Sequence, residues 1–538
     1  MNQEYDYTQL WSSVTGESYA DIFTKTTKRL PDKDAIIFKD RRITFKEYDD
    51  ASDRLATILL ELGVKKGDRV GVLLPNCPEF MYAFISVIKM GGIVINLSTR
   101  MRKKELEYIF NDSGMTALFL IDEYGDFSFA DAVKELLPSL PDLKQVIVKG
   151  KNVTEGMQSW YDLLEKLEHR DFKEFLRGRT AGPKEPQLLQ YTSGTTGVPK
   201  GVLHDNDGYL SAHKIIAPFI KLSPDDVFLC TLPLSQAFGR VIITMNMLLG
   251  ARLVLLEEFN PVEVIKAIQD EKVTFVPLVP MMVELIMMMV PDLDTYDLSS
   301  VKVHVNAGGP LYSETAEKIR NNLWPLSKVG DTIGTSETTF TAFSPPGDKE
   351  RISLKTVGMA VPGTHIKLLD SDNREVPFGK VGEICAKGPN VMLGYWNKPD
   401  LTEKAIDKDG YYHSGDLAFC IDAEGNMELA GRKTDMIIRG GYNIYPVEIE
   451  NCLYEHPKIN HAALIGLPDM VKGETTCAVI TLVPGENLTT EEIKEYCKEN
   501  LADYKVPDTV EIVESLPIIP PGKVDKKFIK AKMIKEME

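Results

Sequence analysis

The stretch Tyr191-Thr192-Ser193-Gly194-Thr195-Thr196-Gly197-Val198-Pro199-Lys200-Gly201 gathers hydroxyls, small residues and one lysine into a single turn-prone loop. Those residue types suit a phosphate chain. Glycines let the backbone come close, hydroxyls and amides donate hydrogen bonds, and a lysine neutralises charge. A Walker A loop is excluded, because Pro199 and then Lys200-Gly201 stand where Gly-Lys-Ser/Thr is required. No Gly-x-Gly-x-x-Gly opens a helix after a strand, so a Rossmann site lacks its fingerprint too. Alone, the loop says phosphate and leaves the reaction open, with a plain Gly/Thr linker as the competing reading.

The elements that must position this loop follow a clear rhythm. Ala35–Phe38 reads as a strand. Thr44 with Glu47 reads as a capping box opening a helix through Leu60. Arg69–Leu74 reads as a buried strand, Pro78–Met90 as a helix and Gly92–Leu97 as another strand. This alternation predicts α/β architecture with doubly wound parallel sheets. Residues 150–185 read as surface helix and connection. After the loop, Gly201–His204 is a strand and Asn206 a helix cap, with Tyr209, His213, Ile216 and Ile220 on one face. Strands resume at Val227–Leu232, Leu253–Leu256, Val273–Leu278 and Val301–Asn306, and the methionine-rich Met281–Val290 reads as a core-packing helix. From about 355 to 430 the texture becomes short strands and turns, a β-rich subdomain. The expected division is a large N-terminal domain, 1–433, and a small mobile α+β C-terminal domain, 434–538.

Bulk composition narrows the classes. At 538 residues the chain exceeds a single core. Hydrophobic residues at 43% and charged residues at 26% are ordinary for a globular enzyme. A net charge of −17 disfavours nucleic acid and anionic membrane as nonspecific partners. The seven cysteines and eight histidines form no C-x-x-C or H-x-x-x-H spacing, which points to reduced thiols and a cytoplasmic setting rather than a disulfide or zinc framework. The N-terminus is acidic and polar, unlike a signal peptide. Apolar runs such as Val241–Ala251 fall well short of the roughly 20 residues of a membrane helix.

Read together, the motifs resemble the adenylate-forming superfamily of acyl-CoA synthetases, nonribosomal-peptide adenylation domains and luciferases. Six elements occur in that family's order: the Tyr191–Gly201 loop; Asn306-Ala307-Gly308-Gly309-Pro310-Leu311; Ile333-Gly334-Thr335-Ser336-Glu337; Tyr412-His413-Ser414-Gly415-Asp416; Gly431-Arg432-Lys433-Thr434-Asp435; and Pro521-Gly522-Lys523. The resemblance runs from about residue 20 to 530 and implies a site and its substrates. Thr192, Ser193, Gly194, Thr195, Thr196, Gly197 and Lys200 would grip the β- and γ-phosphates of ATP. Gly308, Gly309, Pro310, Asp331, Ile333, Gly334 and Ser336 would line the nucleotide. Asp416 would accept from both ribose hydroxyls, since a carboxylate carries two acceptor oxygens, and Arg432 would support that side. Glu337 would hold Mg2+, a hard cation suited to carboxylate and phosphate oxygens. Lys523 would bridge the carboxylate and the α-phosphate, so that Lys523, Glu337 and Lys200 are the implied catalytic residues. Coenzyme A would meet the backbone at Gly440 and Gly441 when the C-terminal domain turns for the second half-reaction.

Three departures from the pattern concern the substrate and the hinge. Ile333 stands at a usual aromatic position, Thr434 at a usual Asp or Lys, and Gln236 at a usual histidine. The implied acyl pocket comprises Gln236, Phe238, Gly239, Asn306 and Ala307, with no evident cation for a second carboxylate. The expected reaction is ATP-dependent activation of a medium-chain, branched, alicyclic or aromatic monocarboxylic acid, then transfer to CoA. The alternative acceptor is a carrier-protein pantetheine. The remaining expected partners are small molecules, with no integral membrane segment and a homodimer as the assembly considered.

Overall fold

Thr44 shows how local sequence sets the N-terminal rhythm. Its hydroxyl accepts from the Glu47 amide while the Glu47 carboxylate accepts from the Thr44 amide, and this reciprocal cap starts the helix Phe45–Glu61. The next helix, Pro78–Lys89, carries proline in its first turn, where a missing N–H costs nothing. It joins strands Arg69–Leu73 and Ile93–Asn96, which pair in parallel from Arg69↔Ile93 to Val72↔Asn96. The computed structural model describes residues 16–168, 170–192, 198–308, 313–325, 327–344, 356–439, 442–519 and 523–537.

Two large sheets organise the N-terminal part. An eight-stranded sheet runs in space as Gly394–Tyr395, Lys200–Asp205, Pro186–Thr192, Ile93–Asn96, Arg69–Leu73, Ala117–Ile121, Gln145–Lys149 and Gln158–Ser159. A thirteen-stranded sheet carries the parallel strands Asp34–Phe38, Arg252–Leu255, Val227–Cys230, Phe275–Leu278, Val303–Asn306 and Lys328–Ile333. Strands such as Ala117–Ile121 and Val227–Cys230 are buried along their whole length, as their unbroken apolar runs require. The expected α/β class is therefore present.

The β-rich strands after residue 355 continue the larger sheet. Ala342–Phe343 pairs antiparallel with Lys328–Ile333, Thr356–Ala360 pairs with Ala342–Phe343, and Met427–Arg432, Tyr412–Cys420, Gly382–Lys387 and His365–Leu369 follow in turn. Tyr412–Cys420 is a strand that the sequence pattern does not announce, because Gly415 adopts φ +73° and the register slips against Gly382–Lys387.

One local expectation is corrected and another is refined. The cap of the helix Asn206–Phe219 is Asp205, whose carboxylate accepts from the Gly208 amide, while Asn206 holds Gly182 O and the Tyr19 amide. The helix Pro280–Met289 packs on the core as expected, with Pro280, Val283 and Ile286 fully buried and Met282 and Met287 packed partly buried beside them; only its last two methionines turn outward. Met288 is 72% exposed and Met289 55%, because the branched residues occupy its inward face.

The C-terminal part has its own five-stranded sheet, built on the long hairpin Ile459–Asp469 and Gly473–Leu482. Helices Pro446–Tyr454 and Thr490–Asn500 bury Ile449, Leu453 and Ile493 against it. The basic tail is the helix Lys526–Met537, docked by Lys526 on Glu450 at 2.6 Å and Lys530 on Glu474 at 3.2 Å. Among the described residues, no helix is long and apolar enough to cross a membrane.

Candidate active site

The phosphate-type loop closes a hairpin. Strands Pro186–Thr192 and Lys200–Asp205 run antiparallel with Thr192 opposite Lys200 and Tyr191 opposite Gly201. A Cβ at Gly201 would stand 2.9 Å from Leu189 and 3.2 Å from the Tyr191 ring, so any larger residue there would have to push these side chains aside. The Tyr191 hydroxyl donates to Asp112 at 2.7 Å, and Lys398 reaches the same carboxylate at 3.0 Å, which pins the root of the hairpin. Ser193, Gly194, Thr195, Thr196 and Gly197 lie outside the described residues.

A row of polar groups leads away from Lys200. Its ammonium sits 5.2 Å from the centre of the Tyr395 ring, within reach of a cation–π contact. The Tyr395 hydroxyl donates to Glu337 Oε1 at 2.9 Å. Burial, and then the Glu337 charge, push this phenol well above its ordinary value, so it remains a donor. Burial raises the Tyr412 phenol too.

The Glu337 turn is tightly specified. The buried Asn390 amide donates to Thr338 O at 2.8 Å and Phe340 O at 2.6 Å, and Met392 N donates to Glu337 O at 2.7 Å. His204 Nε2 lies 2.7 Å from Ser336 O, and burial lowers its pKa to about 4, leaving a neutral ring that donates there. A Cβ at Gly334 would meet Thr339 O at 2.0 Å.

Asp416 and Arg432 are cross-strand neighbours, and Arg432 Nε meets Asp416 Oδ1 at 3.0 Å. Asp416 is buried while the Arg432 side chain is half exposed. Ser414 fixes this edge by accepting from the Asp416 amide at 3.0 Å and donating to Ile384 O at 2.8 Å.

The implied acyl residues cluster at the ends of parallel strands. Asn306 ends the strand Val303–Asn306 and is in register with Asp331 on the next strand. Burial pushes the Asp331 carboxyl up to about 8. Ala307 is half-buried and Gly308 has φ +80°; Gly309 and Pro310 lie outside the described residues. Gln236 precedes the helix Ala237–Leu249, where Phe238 packs on the main core, and a Cβ at Gly239 would stand 2.2 Å from Pro233 O. Ile333 commits its side chain to a cluster with Ala342, Val357 and Ile384 and is only 9% exposed. Lys523 begins the short strand Lys523–Val524, opposite Ile519. Gly440 and Gly441 lie outside the described residues, and Thr434 donates to Asp435 Oδ1 at 3.1 Å.

The structure thus links Thr192 and Lys200 to Glu337, pairs Asp416 with Arg432, and adds residues that the motifs passed over. Tyr395 is one. Gln190 and Arg240 are others: the Gln190 amide donates to Ser235 O at 3.2 Å and accepts from the buried Arg240 guanidinium at 2.7 Å. Arg240 directly follows Gly239, so a cation does stand behind the acyl segment; it is held by the neutral partners Gln190 and Tyr209.

Residues 23–396 match the AMP-binding enzyme family, and residues 448–523 match the AMP-binding enzyme C-terminal domain. The chain belongs to the AMP-binding enzyme family. Among its relatives, a long-chain-fatty-acid–CoA ligase of Bacillus subtilis is 33% identical, covering 95% of this chain and 94% of its own. The human mitochondrial medium-chain acyl-CoA ligase ACSF2 is 31% identical over 97% of this chain and 88% of its own. The crystal structure of the anthranilate CoA ligase AuaEII with anthranoyl-AMP superposes with a TM-score of 0.86 at 26% identity, covering 98% of this chain and 99% of that one.

Proposed function

We propose that Lys200, Glu337, Asp416, Arg432 and Lys523 are the working residues of this AMP-forming acid–CoA ligase, and that its acid is a medium-chain, branched, alicyclic or aromatic monocarboxylate. The observations that carry this are the row Lys200–Tyr395–Glu337 and the cross-strand pair Asp416–Arg432. The enzyme uses ATP and coenzyme A. In the first step a carboxylate oxygen attacks the α-phosphorus, the bond to the β-phosphate bridging oxygen breaks, and pyrophosphate leaves. Bringing two anions together makes positioning and charge neutralisation the main tasks. Lys200, with Thr192, grips the departing phosphates. Asp416 accepts from the ribose, and Arg432 holds Asp416 in place. Lys523 follows the charge from carboxylate to phosphate. In the second step the CoA thiolate attacks the acyl carbon, AMP leaves, and the thiol proton passes to solvent. The Gly440-Gly441 stretch serves this step after the C-terminal domain, taken as 434–538, turns on Thr434.

Glu337 fits magnesium. Among the described residues no lysine or arginine forms an ion pair with it, and Tyr395 orients one of its oxygens. Mg2+ held there would supply neutralisation of phosphate charge. The chain-length and aromatic names of the relatives differ, so they support the ligase class while leaving the acid to the pocket around Gln236, Phe238, Gly239, Asn306 and Ala307. A cytoplasmic setting is supported by seven cysteines, none of them in a disulfide; sedimentation would test the homodimer. The test of function is purified enzyme with ATP, Mg2+ and a panel of acids, with and without CoA. Acid-dependent pyrophosphate release and acyl-CoA formation are expected. Acyl transfer only to a carrier-protein pantetheine would establish the alternative acceptor.

A further inference from the structure

Strands Gly382–Lys387 and Tyr412–Cys420 bring Cys385 and His413 into register as cross-strand partners. Glu383, two residues before Cys385, projects from the same face. Three different donors therefore converge: the Cys385 sulfur lies 3.4 Å from His413 Nδ1, and His413 Nδ1 lies 3.4 Å from Glu383 Oε2. All three ligand atoms fall within 4.8 Å of one another. A tetrahedral ion bound at about 2.0–2.1 Å to nitrogen and oxygen and about 2.3 Å to sulfur has ligand–ligand edges of about 3.3–3.6 Å. Both measured edges match that figure. On the far side of the imidazole, Nε2 faces Asp407 Oδ2 at 3.6 Å, the arrangement by which a carboxylate fixes a metal-binding histidine.

We propose that Glu383, Cys385 and His413 form a binding site for a zinc-class divalent ion, oriented by Asp407, whose occupancy slows the ligase reaction. Thiolate, imidazole and carboxylate together select zinc over magnesium or calcium, so this site is distinct in chemistry from Glu337. With three protein ligands, the fourth position is left for water. In the metal-free arrangement a cation already stands near: Lys433 Nζ is 2.9 Å from Glu383 Oε2, and the Gly415 amide holds Oε1 at 3.0 Å. The plain reading is therefore a Glu383–Lys433 ion pair with a neighbouring histidine. The converging sulfur and the Asp407 backing go beyond what that ion pair needs. Lys433 is half exposed and free to swing out. Metal binding displaces the Cys385 thiol proton to solvent and the ammonium from Glu383. Lys433 directly follows Arg432, and its amide is bonded to Gly415 O at 2.8 Å. Losing its side-chain tether loosens the chain beside the Asp416–Arg432 pair, which is how occupancy reaches the reaction; this last link rests on the site proposed above.

The test is titration of the full-length protein with cobalt(II) chloride in the absence of acid, ATP and CoA. One equivalent should give a thiolate-to-cobalt charge-transfer band with tetrahedral visible bands, displaced by zinc chloride. Cys385→Ala should abolish the band and weaken zinc at least tenfold. Asp407→Asn should weaken zinc about 10- to 100-fold, and Lys433→Met should tighten it by removing the competing ammonium. Absence of the band, or its survival in Cys385→Ala, overturns the site. In turnover assays zinc should lower acyl-CoA formation at least fivefold in the wild type, reversibly with chelator, and leave Cys385→Ala unaffected. Zinc binding without that loss overturns the inhibitory half. The spectral arm needs no substrate, so it stands or falls apart from the proposed reaction.

Discussion

Tyr395→Phe isolates one hydrogen bond in the proposed site. The substitution keeps the ring beneath Lys200, 5.2 Å from its ammonium, and removes only the hydroxyl that donates to Glu337 Oε1 at 2.9 Å. The backbone pairing of Tyr395 with Val202 is untouched. A hydrogen bond to a charged acceptor contributes about 1.5–3 kcal/mol, which at about 1.4 kcal/mol per tenfold is roughly a 10- to 150-fold effect. Glu337 is half-buried, so water replaces part of the lost donor and the expected loss lies near the lower end, about tenfold. It should appear in kcat/KM for acid-dependent pyrophosphate release, with the magnesium dependence shifted to higher concentration. Tyr395→Ala, which also deletes the ring, should lose a further few-fold to about 30-fold from the cation–π contact. In a Glu337→Ala background, which removes the acceptor, Tyr395→Phe should cost almost nothing, because the two residues act through one bond. A Tyr395→Phe enzyme within twofold of wild type, with an unshifted magnesium curve, would refute the role given to this row.

Three further outcomes are expected. Lys523→Ala should abolish acyl-adenylate formation and largely spare thioester formation from pre-made acyl-adenylate; equal loss of both half-reactions would contradict two working poses. Asp331, raised to about 8 by burial, holds in the folded state a proton that the unfolded chain releases near pH 4. Stability therefore falls as pH rises through that window. Asp331→Asn should remove this slope, giving a Tm gain over wild type that grows from about pH 5 to pH 9; a pH-independent difference would remove burial as the cause. Lys89 sits buried at 2.5 Å from both Asp49 and Asp53, and Lys89→Met should destabilise the fold by about 3–5 kcal/mol. Urea denaturation reads that loss, and a shift under about 1 kcal/mol would show that the two carboxylates find other partners.

The sequence reading went furthest where chemistry is local. Thr44 and Glu47 cap their helix within four residues, and the strands flanking Pro78–Lys89 read correctly because burial on both faces demands unbroken apolar runs. What escaped it depends on pairing between distant strands. Tyr395 meets Glu337 only because Gly394–Tyr395 adds to the edge of the Lys200–Asp205 strand, and no spacing signals a two-residue strand. Cys385 and His413 likewise become neighbours through register, so the absence of C-x-x-C or H-x-x-x-H spacing said nothing about them. Gly415 hid the Tyr412–Cys420 strand by breaking its alternation. Composition could not say which face of Pro280–Met289 turns inward: Val283 and Ile286 are fully buried, Met282 and Met287 pack beside them, and Met288 and Met289 face outward.

The Asp416–Arg432 pairing has a thermodynamic consequence. Arg432 ends its strand, and from there the chain leaves the sheet for the C-terminal part. Under the proposed roles, the last rung of one hairpin is the ribose contact and stands two residues before the pivot at Thr434. Any preference of bound nucleotide for one pose must then be returned, by linkage, as an equal preference of that pose for nucleotide. ATP, acyl-AMP and AMP would each set a different balance of poses, and the same balance would set how tightly each is retained. Locking the C-terminal part in either pose should therefore change AMP affinity by the factor that AMP itself applies to the pose equilibrium. The order of the half-reactions would be kept by this shared rung, with no separate gate required.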